Sequence, residues 1–141
     1  MASFNKFNAF VEHLAEKVHN LGADTLKILL TNTAPVAGDS VKADLTEISA
    51  GNGYSAGGPG ATISASSQTS GTYKLVLDDL TITASGGSVG PFRYFVLYND
   101  TPSSPADPLI GWWDYGSTIT LADGESVTVD FSAANGALQI A

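Results

Sequence analysis

One glycine-rich stretch carries the sequence pattern most closely tied to catalysis. Residues 53–57, Gly-Tyr-Ser-Ala-Gly, match the G-x-S-x-G turn of serine hydrolases, in which Ser55 would be the nucleophile. A nucleophile of this class needs a helix directly after the serine and a histidine base downstream of it. Here Gly57-Gly58-Pro59-Gly60 follows the serine, and both histidines of the chain precede it. We therefore expect no catalytic residue and no enzymatic activity.

A second pattern, G-x-G-x-x-A, begins at Gly51 and ends at Ala56, as in dinucleotide-binding turns. Pyrophosphate binding needs a strand before this pattern and a helix after it, because the anion sits on the helix N-terminus. The glycines and proline of residues 57–60 exclude that helix. The stretch is typical of a glycine-rich loop, and we expect no cofactor.

Three side chains near the N-terminus have the spacing of metal ligands on a helix. Glu12, Glu16 and His19 are spaced i, i+4 and i+7, so a helix would place them on one face. That face is opposite the apolar one, where solvated polar residues are expected in any case. The chain also has no cysteine, which excludes thiolate metal sites and disulfides. We expect no metal.

Aromatic residues in two predicted strands, residues 91–98 and 109–115, are the strongest candidates for an interface. Strand alternation places Phe95 and Leu97 on the face opposite Phe92, and Ile110 on the same face as Trp112. Neither strand has a wholly polar face, so we expect the N-terminal helix or a neighbouring subunit to cover the second face. The candidate interface residues are Tyr54, Phe95, Leu97, Trp112, Trp113 and Tyr115.

A sugar-binding platform is the alternative for these aromatics. Trp112, Trp113 and Tyr115 with the carboxylate of Asp114 have the composition that suits stacking on a saccharide. Alternation, however, sends the two tryptophans to opposite faces of the strand. A buried or subunit-contact role is therefore favoured.

The elements that position these residues begin with a helix predicted over residues 3–21. Its apolar residues recur every three or four positions and would form one buried stripe. Ser3 could cap its start and Gly22 its end. The stripe consists of Phe4, Phe7, Val11, Leu14, Val18 and Leu21.

The remaining chain predicts a loop followed by many short strands. Residues 32–60 are rich in glycine and proline and predict a loop, or an arm that becomes ordered on a partner. Residues 61–141 alternate short apolar runs with turn signals, a pattern typical of β-sandwiches. We predict a mainly β fold: one antiparallel β-sandwich or jelly-roll-like domain over residues 1–141, with one N-terminal α-helix packed on it.

Charge limits the partners of this chain. Its 141 residues carry a net charge of −8, and the six basic residues are scattered. Binding to phosphate backbones needs clustered cations, so we expect no nucleic acid, and anionic membrane surfaces would repel the chain. The first residues lack a signal-peptide pattern, so we expect synthesis and folding in the cytoplasm.

Several stretches resemble small virion structural proteins of tailed bacteriophages. They are residues 7–19 (FNAFVEHLAEKVH), 26–35 (LKILLTNTAP), 51–58 (GNGYSAGG), 95–102 (FVLYNDTP) and 108–115 (PLIGWWDY). The resemblance implies a decoration or cement protein on the outer surface of the virion head, with the major capsid protein and copies of itself as partners. Related β-sandwiches in phage tails and fibres imply an alternative role there, with glycans as possible ligands.

Overall fold

The computed structural model describes residues 2–141, and β-strand is its main regular structure. The predicted mainly β class with a single α-helix is confirmed. The helix α1 spans Asn8–Ala15, and a short 3-10 helix spans Lys42–Asp44. The strands are β1 (Asn5–Lys6), β2 (Leu26–Thr31), β3 (Gly60–Ala61), β4 (Ile63–Thr69), β5 (Thr72–Leu77), β6 (Leu80–Thr83), β7 (Val89–Asn99), β8 (Leu109–Leu121), β9 (Ser126–Val129) and β10 (Leu138–Ile140).

The strands form three antiparallel sheets. The largest has the order β1-β8-β7-β2-β3, a second has β10-β5-β4, and a third pairs β6 with β9. One hydrophobic cluster contains Ile28 and Phe95 from the large sheet, Leu75 from the second sheet, and Ile82 and Val127 from the third. The large sheet therefore packs against the two smaller ones, as in a β-sandwich. None of the helices in the described part of the chain is long and apolar enough to cross a membrane.

The helix is much shorter than the predicted residues 3–21. Before it, Asn5 and Lys6 pair with β8 in an extended conformation, and the Phe7 N–H donates to the Ile110 carbonyl. After it, Lys17 takes a left-handed φ of 68°, which ends the helix. The helical spacing of apolar residues therefore extends beyond the helix at both ends, into an extended segment before it and a turn after it.

Within the helix the predicted stripe is right at Leu14, which packs against the main cluster, and wrong at Val11. Val11, a predicted core residue, is 50% exposed, whereas Phe10 is only 2% exposed and lies in the main cluster. The stripe was anchored on Phe4 and Phe7, which precede the helix and do not share its 100° rotation per residue. Leu21 is buried as expected, but from a turn beyond the helix.

The second face of the large sheet is covered by the loop of residues 32–60 and by Phe7, not by α1 or a neighbouring subunit. On this face Leu29, Val96 and Tyr98 form a buried cluster against which Leu45 of the loop packs. The other members of this cluster are Phe7, Leu109 and the half-buried Trp112. The segment is thus a loop packed on its own sheet rather than an extended arm.

Glycine permits this close packing. Gly58 has a φ of +80°, and a Cβ built on it would lie 1.8 Å from the Ile28 carbonyl oxygen. No other residue type fits that approach without movement of the backbone. At this position the glycine-rich composition therefore serves contact with the sheet.

Irregularities in the β7–β8 pairing change two predicted side-chain directions. The register shifts between Phe92 and Tyr94, so Phe92 lies in the same cluster as Phe95 rather than on the opposite face. A second shift, where Leu97 pairs with Gly111 and Tyr98 with Leu109, leaves Ile110 as an extra residue. Ile110 consequently faces the main cluster, away from Trp112.

Candidate functional site

Half of the predicted interface residues lie inside the molecule. Tyr54, Phe95 and Leu97 are at most 5% exposed and belong to the main cluster. At this burial their main role is to fill the core. Of the other three, only Tyr115 is exposed, at 51%.

Tyr54 fastens the loop of residues 32–60 to β2. Its hydroxyl accepts a hydrogen bond from the Leu30 N–H at 3.0 Å and donates to Glu47 Oε1 at 3.3 Å. Burial, together with the negative charge of Glu47, raises the pKa of Tyr54 above its ordinary value. Glu47 also accepts from the Gly57 N–H, so one carboxylate binds the tyrosine and the glycine-rich turn.

The two tryptophans are used in packing on opposite faces of β8, as alternation predicts. The ring of Trp112 lies 4.6 Å from that of Phe7, and the ring of Trp113 lies 5.3 Å from Phe4 and 5.6 Å from Phe131. Neighbouring aromatic rings therefore contact both indoles. Because the two indoles lie on opposite faces, Trp112, Trp113 and Tyr115 do not form a single stacking platform.

Asp114 is held by an arginine and a backbone amide. Arg93 donates to its two carboxylate oxygens at 2.8 and 3.0 Å, and the Gly116 N–H donates at 2.8 Å. The hydrogen bond from Arg93, followed by that from Gly116, lowers the pKa of Asp114. Arg93 stands opposite a bulge of β8, because Tyr94 pairs with Asp114 while Phe92 pairs with Ile119. The ion pair therefore fixes the geometry of this bulge.

The bulge places Tyr115 at the mouth of an aromatic groove of about 460 Å³. Trp113, Phe95 and Phe131 line its apolar wall, and Asp130 is among its polar residues. Phe131 and Asp130 were not among the sequence candidates, since only the fold brings the chain after β9 beside β8. The one available signal was the aromatic residue Phe131 at the end of an alternating apolar run. The volume is that of a site for a small ligand.

The edge of the three-stranded sheet is a second exposed feature. The β4 edge, defined here as residues 65–69, pairs with β5 in continuous register. On its other side no strand among residues 2–141 pairs with it. All five residues are exposed and none is charged. Unpaired strand edges bind other extended chains unless charge, proline or a bulge prevents it.

Ser55 of the serine-hydrolase pattern and His19 do not line a common cavity. Ser55 is exposed in a turn, where its carbonyl accepts from the Gly58 N–H, and no helix follows it. His19 is buried near the end of β7, with Nδ1 at 3.1 Å from Asn99 Nδ2. The geometry of a serine hydrolase is therefore not assembled.

The helix face predicted to carry Glu12, Glu16 and His19 is interrupted in the structure. Because the left-handed Lys17 ends the helix, His19 does not continue the helix face of Glu12 and Glu16. Within residues 2–141 no group of three or more histidine, aspartate or glutamate side chains is arranged to hold a metal ion.

No family model, curated protein or solved structure matches this chain.

Proposed function

We propose that this chain is a non-enzymatic structural protein of a tailed-phage virion. In this role it is made in the host cytoplasm and binds the outer capsid surface as a decoration or cement protein. Its partners are the major capsid protein and copies of itself. The resemblance of residues 95–102 and 108–115 to such proteins supports the particle type.

The observation that carries the proposal is the exposed, uncharged β4 edge. A rigid β-domain with an unpaired edge is suited to repeated contacts between protein subunits. The polar residues examined above support the same reading, because Glu47, Asp114 and His19 stabilise the fold instead of lining a common cavity. The net charge of −8 favours the outside of a head over its DNA-filled interior.

Protein counting and imaging of particles test this proposal. In virions of the phage that encodes the chain, a decoration protein should be present on the order of hundreds of copies and follow the head lattice. Quantitative mass spectrometry gives the copy number, and electron microscopy of labelled particles gives the position. Absence from the particle would contradict the proposal, and density confined to the tail would favour the alternative role.

The second candidate, a glycan-binding tail or fibre module, is favoured by the groove beside Tyr115. The exposed ring of Tyr115 and the residue Asp130 line the same groove, which offers stacking and hydrogen-bond acceptors for a pyranose. NMR titration with a saccharide panel tests it, using Tyr115→Ala to remove the ring. Shifts confined to groove residues and lost in that variant would support the module.

A further inference from the structure

We propose that the β4 edge is a self-association surface, at which β4 of one copy pairs antiparallel with β4 of a second copy about a two-fold axis. The pairing would extend the three-stranded sheet β10-β5-β4 into a six-stranded sheet across two copies. This inference deepens the proposed function. A role of the dimer in a virion rests on that proposed function. The association itself is a property of the purified chain.

The two edges of the large sheet are covered in ways that the β4 edge is not. At the edge of β2, the Ile28 N–H donates to the Pro59 carbonyl, the Leu30 N–H donates to Tyr54, and the Leu30 carbonyl accepts from the Ile48 N–H. The loop of residues 32–60 thus supplies hydrogen-bond partners for the backbone groups along this edge of β2. At the opposite edge of the same sheet, β1 covers part of β8 and the bulge interrupts the rest.

Within residues 65–69 the β4 edge has none of these protections, and the register shift of β4 lies before it, between Ile63 and Ala65. Its backbone groups bond β5 on one side, and no backbone hydrogen bond reaches them from elsewhere in residues 2–141. It contains no proline, lysine or other charged residue, which are the usual devices that keep strand edges apart. An extended backbone is the partner that such a row of donors and acceptors fits.

A second copy is the occupant that the sequence of the edge favours. In a two-fold pairing centred on Ser67, Ala65 faces Thr69 of the other copy and Ser66 faces Gln68, so uncharged side chains meet throughout. Copies with a net charge of −8 repel one another, and this edge lets them meet without opposing carboxylates.

The side-chain directions allow a test that leaves the core intact. Ser66 and Gln68 pair with the inward Leu75 and Tyr73 of β5, so Ala65 and Thr69 point to the other, solvent-facing side. The double variant Ala65→Lys/Thr69→Lys places a lysine opposite a lysine in the two-fold pairing. Ala65→Lys/Thr69→Glu places opposite charges there instead.

Sedimentation velocity of the purified chain over a wide concentration range gives the association constant of each variant. We expect the wild type to dimerise and the double-lysine variant to have an association constant at least about tenfold lower. The lysine–glutamate variant should regain association. The matched control Ser117→Lys/Thr120→Lys makes the same charge change at exposed positions of β8 and should dimerise like the wild type. Circular dichroism confirms that each variant is folded.

Four results would overturn the proposal: a wild type that stays monomeric, a double-lysine variant that associates normally, failure of the charge pair to restore association, or weakening by the β8 control. Added lysines reduce the net negative charge, so general repulsion cannot explain a loss of association. Because the measurement uses no capsid, its failure would leave capsid attachment untouched, and a failed particle test would leave the dimer untouched.

Discussion

The side-chain amide of Asn99 bridges the buried ring of His19 and the carboxylate of Asp24. Asn99 Nδ2 lies 3.1 Å from His19 Nδ1 and donates to Asp24 Oδ2 at 2.6 Å, while Asn99 Oδ1 accepts from the Thr101 N–H at 3.1 Å. The contacts to Asp24 and Thr101 fix the orientation of the amide, so His19 Nδ1 faces an N–H donor. A proton on Nδ1 would face that donor with no acceptor.

Acid should therefore destabilise the fold through His19. Burial, and then the positive charge of His13, lowers the pKa of His19 to about 4 from 6.5. A lowered histidine pKa means that the unfolded chain binds the proton more readily, so the stabilisation is complete above pH 6.5 and is lost between 6.5 and 4. We expect a loss of about 2 to 3 kcal/mol across this range.

Urea denaturation at several pH values measures this loss. Carboxylates also titrate in the lower part of this pH range, so the control is His19→Asn. Between pH 6.5 and 4 its free energy of unfolding should fall by about 2 to 3 kcal/mol less than that of the wild type. Equal slopes for the two proteins would show that His19 is not the group responsible.

Gly58→Ala should destabilise the chain by about 2 to 4 kcal/mol, because the new Cβ meets the Ile28 carbonyl and φ is positive. Gly38→Ala is the matched control in the same loop, since a Cβ there has no neighbour within 4 Å. Its effect should stay within about 0.5 kcal/mol. Thermal unfolding of both variants decides the point, and similar melting temperatures would contradict the packed-loop geometry.

Tyr54→Phe should loosen the loop of residues 32–60 without disrupting the core. The substitution keeps the buried ring but leaves the Leu30 N–H without its acceptor, at a cost of about 1 to 3 kcal/mol. Limited proteolysis followed by mass spectrometry should show new cleavages within this loop, where the wild type resists. Rapid cleavage of the wild-type loop would instead restore the hypothesis of a mobile arm.

Phe10→Ala and Val11→Ala distinguish the observed helix phase from the predicted stripe. Phe10 is 2% exposed, so its truncation should cost about 3 to 5 kcal/mol. Val11 is 50% exposed, and its truncation should cost about 0.5 kcal/mol or less. Chemical denaturation measures both, and a larger loss for Val11 would favour the predicted stripe.

Local patterns predicted the fold class well but not the segments whose conformation depends on distant partners. Alternating apolar runs with turn signals between them indicated the many short strands of residues 61–141. The helix was overextended because Asn5 and Lys6 are drawn into pairing with β8, more than one hundred residues away. Spacing within a short window carries no information about such a partner.

In the candidate site, too, locally determined features were predicted and features that depend on distant partners were not. The opposite directions of Trp112 and Trp113 follow from strand alternation, which holds locally. The positions of Phe92 and Ile110 depend on bulges in the β7–β8 pairing, which no local pattern revealed. The groove escaped prediction because Phe131 reaches Trp113 only after the sheets have packed.

The pairing of Asn5 with Trp112 has a consequence for synthesis of the chain on the ribosome. The first strand stays without a partner until β8 has left the exit tunnel, and β2 likewise waits for β7. The apolar residues of β2 therefore emerge unpaired, and the large sheet assembles only when most of the chain has been made. Pairings this distant in sequence place the protein among slow folders, with times of milliseconds to seconds.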